Sequence, residues 1–246
     1  MATPRFYCPV ALAPHTQIEL PQALAHHAVR VLRLAPDTAI ILFDGQGGQY
    51  PATLLIDGKR AYARLGAHEA VEAELAGRIT LAQGIPSGDK MDWVIEKAVE
   101  LGAVRVQPLT AQRSLLRLSG ERLRKRLEHW RRIAQAASEQ CGRNRIMIVD
   151  EPLSLHEYLA TLPASGDTAL FCHPGSEHSL AQAVQNAGNA VSLLVGPEGG
   201  WSDEEMAAVR KAGLTPMNFG ARILRTETAG LALISAVSAL RGWNET

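Results

Sequence analysis

Residues 192–205 read SLLVGPEGGWSDEE and combine a strand, a turn and a helix start. The apolar residues 191–195 predict a buried strand. Glycines at 196, 199 and 200 predict a tight turn directly after it. Ser202 and Glu205 have the spacing of a capping box, so a helix is expected at 203–212. A strand that passes through a turn into a helix is the repeating unit of an α/β domain.

The same alternation extends outward along the chain. Apolar runs predict strands at 79–85, 104–109 and 169–172. Helical spacing predicts helices from the turn at 87–89 to Gly102, at 179–186 and at 228–242. The pattern indicates an α/β domain with a largely parallel sheet.

The first 70 or so residues follow a different pattern. A helix is predicted at 21–33, with Leu24, Ala28, Val31 and Leu32 on one side. Short strands are predicted at 39–43, 50–56 and 60–65, separated by Asp-Gly turns. We therefore expect a small β-rich domain at 1–72 and the α/β domain at 73–246, with the boundary in the polar stretch 68–77.

The glycine turn does not match the common phosphate-binding motifs. Its G-x-x-G-G spacing is not that of a dinucleotide fingerprint, and no G-K-[ST] follows it. Asp203, Glu204 and Glu205 would repel a pyrophosphate but tolerate a cationic cofactor such as the sulfonium of S-adenosylmethionine. A simple tight turn is the alternative interpretation.

A second unusual segment, NFGARILRTETAGLALISAVSAL, occupies residues 218–240. Arg222 and Arg225 flank Ile-Leu before a helix rich in small residues, which Thr226 is expected to cap. The alternative for the two arginines is surface salt bridging. The buried face of the helix is predicted to contain Ala229, Leu233, Ala236 and Leu240.

Positive charge is concentrated in residues 113–145, although the chain has 25 basic and 25 acidic residues and no net charge. The basic residues of this segment are Arg113, Arg117, Arg122, Arg124, Lys125, Arg126, Arg131, Arg132, Arg143 and Arg145. An apolar stripe on the same predicted helix consists of Leu123, Leu127, Trp130, Ala134, Ala137 and Cys141. The basic face is typical of a protein that binds a phosphate backbone; a merely solvated helix face is the alternative.

Composition points to a globular protein of 246 residues, 46% of them apolar. The three cysteines form no C-x-x-C pair, which predicts free thiols in a reducing compartment rather than disulfides or a zinc site. The N-terminus lacks the apolar region of a secretory signal, and no apolar stretch approaches the roughly 20 residues of a membrane span. We expect a cytoplasmic protein that binds no membrane and no metal.

Taken together, these segments resemble the RsmE family of 16S ribosomal RNA methyltransferases. The resemblance rests on LLVGPEGGWSDEE (193–205) followed by FGARILRTETA (219–229). GDKMDWVIEKAVELGAVRVQPL (88–109), EQCGR (139–143) and the segments 26–34 and 42–50 are similar to further elements of that family. Residues 156–179 match none of its motifs.

The resemblance implies methylation of N3 of a uridine in 16S rRNA of the small ribosomal subunit, with S-adenosylmethionine as cofactor. It implies a PUA-like β-barrel at 1–72 and a SPOUT methyltransferase domain at 73–246. The parallel sheet of that domain would end in a C-terminal trefoil knot that holds the cofactor. It further implies a homodimer.

Site residues follow from this resemblance and from the chemistry of the reaction. The residues expected to hold the cofactor are Leu194, Val195, Gly196, Pro197, Glu198, Gly199, Gly200, Gly220, Ile223, Leu224, Arg225 and Thr226. Those expected to bind RNA are Arg5, Arg30, Arg33, Arg122, Lys125 and Arg126.

N3 of uracil must lose its proton, and the resulting anion must be stabilised. Arg225 and Arg143 are the candidates for stabilising the anion. Glu139 is the candidate base, followed by Glu227 and Glu198. Each glutamate has a structural alternative: an (i, i+4) pair with Arg143, a position at a helix start, or a turn residue, respectively.

Three other functions are compatible with parts of the pattern. A ribose 2′-O-methyltransferase would share the fold but differ in the atom that it methylates. An RNA-binding assembly protein would share the basic face but bind no cofactor. A nucleotide-dependent α/β enzyme would require the phosphate loop that the sequence lacks.

Overall fold

The computed structural model describes residues 3–114 and 119–244, so the basic position Arg117 lies outside the described residues. The chain divides into two compact units. Unit 1 comprises Met1–Glu74 and Ser138–Ile146, and unit 2 comprises Leu75–Ala137 and Met147–Thr246. Residues 138–146 thus group with unit 1 through long-range contacts.

Unit 1 is built on a mixed five-stranded sheet with the order β1-β3-β4-β5-β2. Its strands are β1 (Arg5–Tyr7), β2 (Gln17–Glu19), β3 (Ala39–Phe43), β4 (Tyr50–Asp57) and β5 (Arg60–Leu65). β1 and β3 are parallel, and the other neighbours are antiparallel. Alternating residues of these strands, such as Ile40, Leu42 and Leu54, form the core of the unit.

The helix predicted at 21–33 differs from the observed one. α1 (Gln22–His26) continues as a π-helix at His27–Val31. The i→i+5 bond from Leu32 N–H to the His27 carbonyl widens this turn. Val31 and Leu32 are exposed whereas Leu24 and Ala28 are buried, so the prediction that all four lie on one side is wrong.

Unit 2 contains a parallel sheet with the order β11-β13-β10-β12-β6-β7-β8, and β9 also pairs with β7. All of its observed pairings are parallel, which confirms the predicted sheet type. The strands are β6 (Arg78–Gly84), β7 (Arg105–Thr110), β8 (Ile148–Val149), β9 (Leu153–Ser154), β10 (Thr168–Cys172), β11 (His178–Ser179), β12 (Ala190–Val195) and β13 (Pro216–Asn218).

Helices connect these strands in the expected βαβ manner. They are α2 (Lys90–Glu100), α3 (Gly120–Cys141), α4 (Leu155–Ser165), α5 (Leu180–Gln185), α6 (Asp203–Lys211) and α7 (Thr226–Leu240). α7 packs against β6, β12 and α2 and buries Leu233, Ile234 and Val237 completely. The trefoil knot implied by the family resemblance stays a prediction.

Candidate functional site

Two loops of unit 2 line the same cavity. The glycine loop (residues 196–200) follows the carboxyl end of β12, and the arginine loop (residues 219–225) connects β13 with α7. The cavity has a volume of about 580 Å³, within the roughly 300–1,000 Å³ of small-molecule sites. Predicted cofactor residues that line it are Val195, Gly196, Pro197, Glu198, Gly200, Gly220, Ile223, Leu224, Arg225 and Thr226.

Two of the predicted cofactor residues have other surroundings. Leu194 is completely buried within β12 and packs in a hydrophobic core cluster of unit 2. Gly199 faces the backbone of Arg113, where a Cβ would lie 2.8 Å from the carbonyl oxygen. These two residues support the site through packing and are not part of the cavity lining.

Thr226 joins the two loops through its side chain. Its hydroxyl donates a hydrogen bond to the Gly196 carbonyl oxygen and accepts one from Gln83 Nε2 at 2.8 Å. The prediction that Thr226 caps α7 is therefore wrong: it is the first residue of the helix, and Arg225 occupies the N-cap position without a side-chain cap bond. The hydroxyl is used to hold the glycine loop instead.

The end of β6 also approaches the glycine loop closely. A Cβ at Gly84 would lie only 2.5 Å from Pro197 N. A glycine at this strand end therefore permits the contact between the two backbones, which any larger residue would push apart.

A lysine that was not among the predicted site residues pairs with two carboxylates at the cavity wall. Lys90 Nζ lies 2.9 Å from Glu198 Oε1 and 3.6 Å from Glu227 Oε2. Glu198 also accepts hydrogen bonds from the backbone N–H and hydroxyl of Ser87. Lys90 thus connects the start of α2 with the glycine loop and the start of α7.

The electrostatics of this cluster keep Glu198 ionised. Burial opposes its charge, but the hydrogen bonds from Lys90 and Ser87 outweigh burial and lower its pKa from 4.5 to about 2. The hydrogen bond to Glu198 in turn raises the pKa of Lys90. Glu198 is therefore a fixed anion and a poor proton acceptor near neutral pH.

Further residues of the lining come from segments without a recognised motif. His173 and Pro174 follow the carboxyl end of β10, the neighbour of β12 in the sheet. Ligands of parallel sheets commonly bind at this edge, so the position of His173 after a predicted strand was a usable signal. Glu227, predicted as a candidate base, also lines the cavity, and the other lining residues that were not predicted are Lys90, Arg113, Cys172, Trp201, Asn218, Phe219, Arg222 and Ala229.

The lining combines charged and apolar surface. Glu198 and Glu227 belong to it and pair with Lys90, while Ile223, Leu224 and Trp201 supply apolar surface. The indole Nε1 of Trp201 is buried without a hydrogen-bond partner among the described residues.

Glu139 and Arg143 are bonded within unit 1. Glu139 accepts a hydrogen bond from the backbone N–H of Tyr7 at 2.9 Å. Arg143 forms a two-pronged ion pair with Glu74, and its side chain is 3% exposed. These contacts give both residues a structural role, and their catalytic roles stay predictions.

The predicted RNA-binding residues divide into exposed and engaged side chains. Arg30, Arg33, Arg122 and Lys125 are exposed. In contrast, Arg126 donates to the Asp89 carboxylate and to the Gly88 carbonyl oxygen, and its contact with RNA stays a prediction.

Arg5 is engaged as well. Its guanidinium donates to Gln49 Oε1 and, at 2.7 Å, to Asn144 Oδ1. Desolvation by burial lowers its pKa. Arg5 therefore contributes to the internal structure of unit 1, and its contact with RNA stays a prediction.

The apolar stripe of α3 is largely as predicted. Leu127, Trp130, Ala134 and Ala137 are buried, and the Trp130 indole donates to Asp92 Oδ1 at 3.0 Å. His129 also bonds to Asp92, so this part of the polar face contacts α2. The charged side chains of α3 that are exposed therefore lie away from its contact with Asp89 and Asp92.

All three cysteines are free thiols, as predicted. Burial raises the pKa of Cys8 and of Cys172. Across residues 3–114 and 119–244, no cluster of three His, Cys, Asp or Glu side chains is arranged to hold a metal ion. Within those same ranges, every helix is too short or too polar to cross a membrane.

Two family models match the chain. The model described as RNA methyltransferase domain matches residues 73–238. The model described as RNA methyltransferase PUA domain matches residues 20–66.

Known proteins are similar over nearly the full length. The ribosomal RNA small subunit methyltransferase E of Synechocystis sp. is 32% identical over 94% of this chain and 77% of its own length. The Bacillus subtilis protein of the same name is 31% identical over 87% of this chain and 86% of its own. A crystal structure of that enzyme from Neisseria gonorrhoeae, bound to S-adenosyl methionine, superposes with a TM-score of 0.89 at 37% identity and covers 97% of this chain and 98% of the other.

Proposed function

The chain belongs to the RNA methyltransferase family that includes ribosomal RNA small subunit methyltransferase E, and we propose that it methylates N3 of a uridine in 16S rRNA, with S-adenosylmethionine as donor. The observation that carries this proposal is the single cavity lined by the glycine loop and the arginine loop. The Neisseria gonorrhoeae relative, which binds S-adenosyl methionine, is similar over the segments that form this cavity.

The residues of the cavity fit this donor. Bound there, S-adenosylmethionine supplies a methyl group on a positively charged sulfur. The backbone of both loops would hold it, and Glu198 and Glu227 lie in the same lining, paired with Lys90. Leu224 and Trp201 add apolar surface to the lining.

Arg225 is the residue that we assign to the developing charge on the uracil. Removal of the N3 proton leaves negative charge on the ring, shared with O2 and O4. A guanidinium cannot readily accept that proton, but it can donate two parallel hydrogen bonds to the anion. Arg225 is exposed at the cavity mouth, where an RNA base can reach it.

The structure changes the order of the candidate bases. Glu198 is held as an anion with a pKa of about 2, which makes it a weak proton acceptor. Glu227 lines the cavity, and we place it first among the carboxylates. Glu139 stays a candidate base, and its observed partner is the Tyr7 backbone. Arg143 stays a candidate for stabilising the anion, and its observed partner is Glu74.

We propose the small ribosomal subunit as the partner, the homodimer as the active form and the cytoplasm as the location. The substrate is part of the ribosome, so we expect the reaction to occur where ribosomal subunits are assembled. The family resemblance motivates the dimer. Light scattering during size-exclusion chromatography tests it, because a mass near the 26.5 kDa of one chain would exclude a stable dimer.

Methyl incorporation tests the proposed activity. Small ribosomal subunits from a strain that lacks the enzyme are incubated with the protein and S-adenosylmethionine labelled on its methyl group. We expect label in 16S rRNA, and much less in subunits from the parent strain, whose target already carries the methyl group. Absence of label in both, despite calorimetric binding of the donor, would reject this substrate.

A further inference from the structure

Unit 1 contains a cavity of its own, with a volume of about 280 Å³. It lies between the helical segment that begins with α1 and the hairpin that joins β4 to β5. The floor is apolar: Leu20 and Ala61 are buried, and Ala25, Val29 and Ile56 are half-buried against the core of the unit. The floor therefore offers a stable apolar surface at the bottom of a shallow site.

The rim of this cavity carries an excess of positive charge. Arg30 contributes a charge from the helical segment, and Lys59 and Arg60 contribute charges from the hairpin; the imidazole of His26 also lines the cavity. Glu19 is the carboxylate of the rim, and it lies 3.8 Å from Arg60 Nε. Because Glu19 is close to Arg60, the positive charges of Arg30 and Lys59 stay available to an anionic ligand.

The π-helix contributes to this arrangement. Arg30 belongs to His27–Val31, and the i→i+5 hydrogen bond of this turn changes the direction in which its side chains point. Insertions of this kind cost regular helical hydrogen bonding and occur frequently at functional sites. Here the π-helix exposes Arg30 beside the half-buried Val29.

A nucleotide is the ligand that matches an apolar floor and a cationic rim. Imidazole and guanidinium groups stack on unpaired bases, and lysine and arginine contact phosphates. The volume lies just below the roughly 300–1,000 Å³ of typical cofactor sites, which suits one nucleotide. The match of residues 20–66 to an RNA methyltransferase PUA domain favours RNA over an acidic peptide.

We propose that this cavity binds one unpaired nucleotide of the RNA substrate, with the base against Val29 and Ile56 and the phosphate between Arg30 and Lys59. The inference rests on the proposed function, because it concerns how the same RNA is held. Unit 1 would then hold single-stranded RNA at one defined site rather than on a diffuse basic surface.

Binding of a fluorescein-labelled ten-nucleotide uridine oligomer to the full chain tests the site. The double variant Arg30→Glu and Lys59→Glu should weaken binding about tenfold or more. Each lost phosphate contact should reduce the salt slope, which is the slope of log K against log salt concentration, by about 1. Arg64→Glu is the matched control: it lies on the same strand and face as Arg60, about 13 Å away, and is exposed outside the cavity. The control should change the affinity by less than about twofold.

A second variant separates the contribution of the cavity's shape from that of its charge. Ala25→Phe fills the floor and changes no charge, so it should weaken binding of the uridine oligomer but not of an RNA duplex of equal length. Thermal unfolding establishes which variants are folded. If Ala25→Phe does not fold, the charge-reversal variants provide the test. Equal losses in Arg64→Glu and in the cavity variants would overturn the proposal, as would unchanged binding by folded Ala25→Phe.

The test is independent of methyl transfer. Donor binding, measured by calorimetry, should be unchanged in the unit 1 variants, because they do not alter the cavity of unit 2. If the chain methylates no rRNA but its oligomer binding still depends on Arg30 and Lys59, the proposed function fails and the nucleotide site stands. If methylation occurs and oligomer binding ignores these residues, the nucleotide site fails alone.

Discussion

The hydroxyl of Thr226 donates a hydrogen bond to the carbonyl oxygen of Gly196 and so ties the start of α7 to the glycine loop. Gln83 at the end of β6 donates to the same hydroxyl. One side chain therefore connects β6, the glycine loop and α7. Since both loops line the cavity, their relative position depends on this buried threonine.

Thr226→Val should weaken both the fold and donor binding. It removes the hydroxyl and leaves Gln83 and the Gly196 carbonyl oxygen without this partner, at a cost of about 1–3 kcal/mol. Thr226→Ser keeps the hydroxyl and serves as the control. Urea unfolding and calorimetry with S-adenosylmethionine measure the two effects; equal behaviour of the valine and serine variants would show that the hydrogen bond does not matter.

Because Lys90 pairs with Glu198, the free energy of unfolding should decrease at acid pH. The pKa of Glu198 is lowered to about 2 in the folded protein from 4.5. Its contribution to stability is therefore complete above about pH 4.5 and is lost as the pH falls toward about 2. Glu198→Gln should be less stable than the parent at pH 7, and the difference should shrink as the pH falls.

Urea midpoints of the parent and Glu198→Gln over this pH range measure the difference directly. Lys90→Met should shift the loss to higher pH, because Glu198 then lacks its ammonium partner. A stability difference that is the same at pH 7 and at pH 3 would contradict the assignment.

Arg225→Ala should lower kcat while leaving the fold intact. Loss of one preorganised donor to a developing anion costs about 10²–10³ in kcat. Thermal stability should change little, because the Arg225 side chain is exposed. Arg210→Ala on α6, exposed and outside the cavity lining, is the control and should keep its full rate. An unaffected kcat in Arg225→Ala removes this residue from the mechanism.

The basic residues of α3 should separate into two classes. Arg122→Glu with Lys125→Glu should weaken rRNA binding and reduce its salt slope by about 2, without loss of stability. Arg126→Glu should instead lower the unfolding temperature, because it places a carboxylate beside Asp89 and Asp92. Salt-dependent binding and thermal unfolding distinguish the classes; a stable Arg126→Glu protein would reject its structural role.

Local sequence patterns predicted the elements that short-range signals define. The bounds of β3 and β5 match those predicted, and the capping box of Ser202 and Glu205 is present. The same signal occurs at Ser154 and Glu157 at the start of α4. α4 is absent from the predicted elements, although its capping box is a usable sequence signal.

Contacts between distant residues could not be predicted in this way. Lys90 and Glu198 are far apart in the sequence, and a charge carries no information about its partner. For the same reason the contacts of Glu139 with Tyr7 and of Arg143 with Glu74 could not be predicted, and the catalytic roles of both residues stay predictions. The π-helix at His27–Val31 could not be predicted either, because apolar spacing does not distinguish i→i+4 from i→i+5 bonding.

The most direct test of the activity is the position of the new methyl group. 16S rRNA from small subunits that have been incubated with the protein and S-adenosylmethionine is digested to nucleosides and examined by mass spectrometry against standards. We expect one additional methyluridine whose methyl group is on N3 of the base. A methyl group on the ribose 2′ oxygen, or on a different base, would contradict the proposed function even if the donor binds in the cavity.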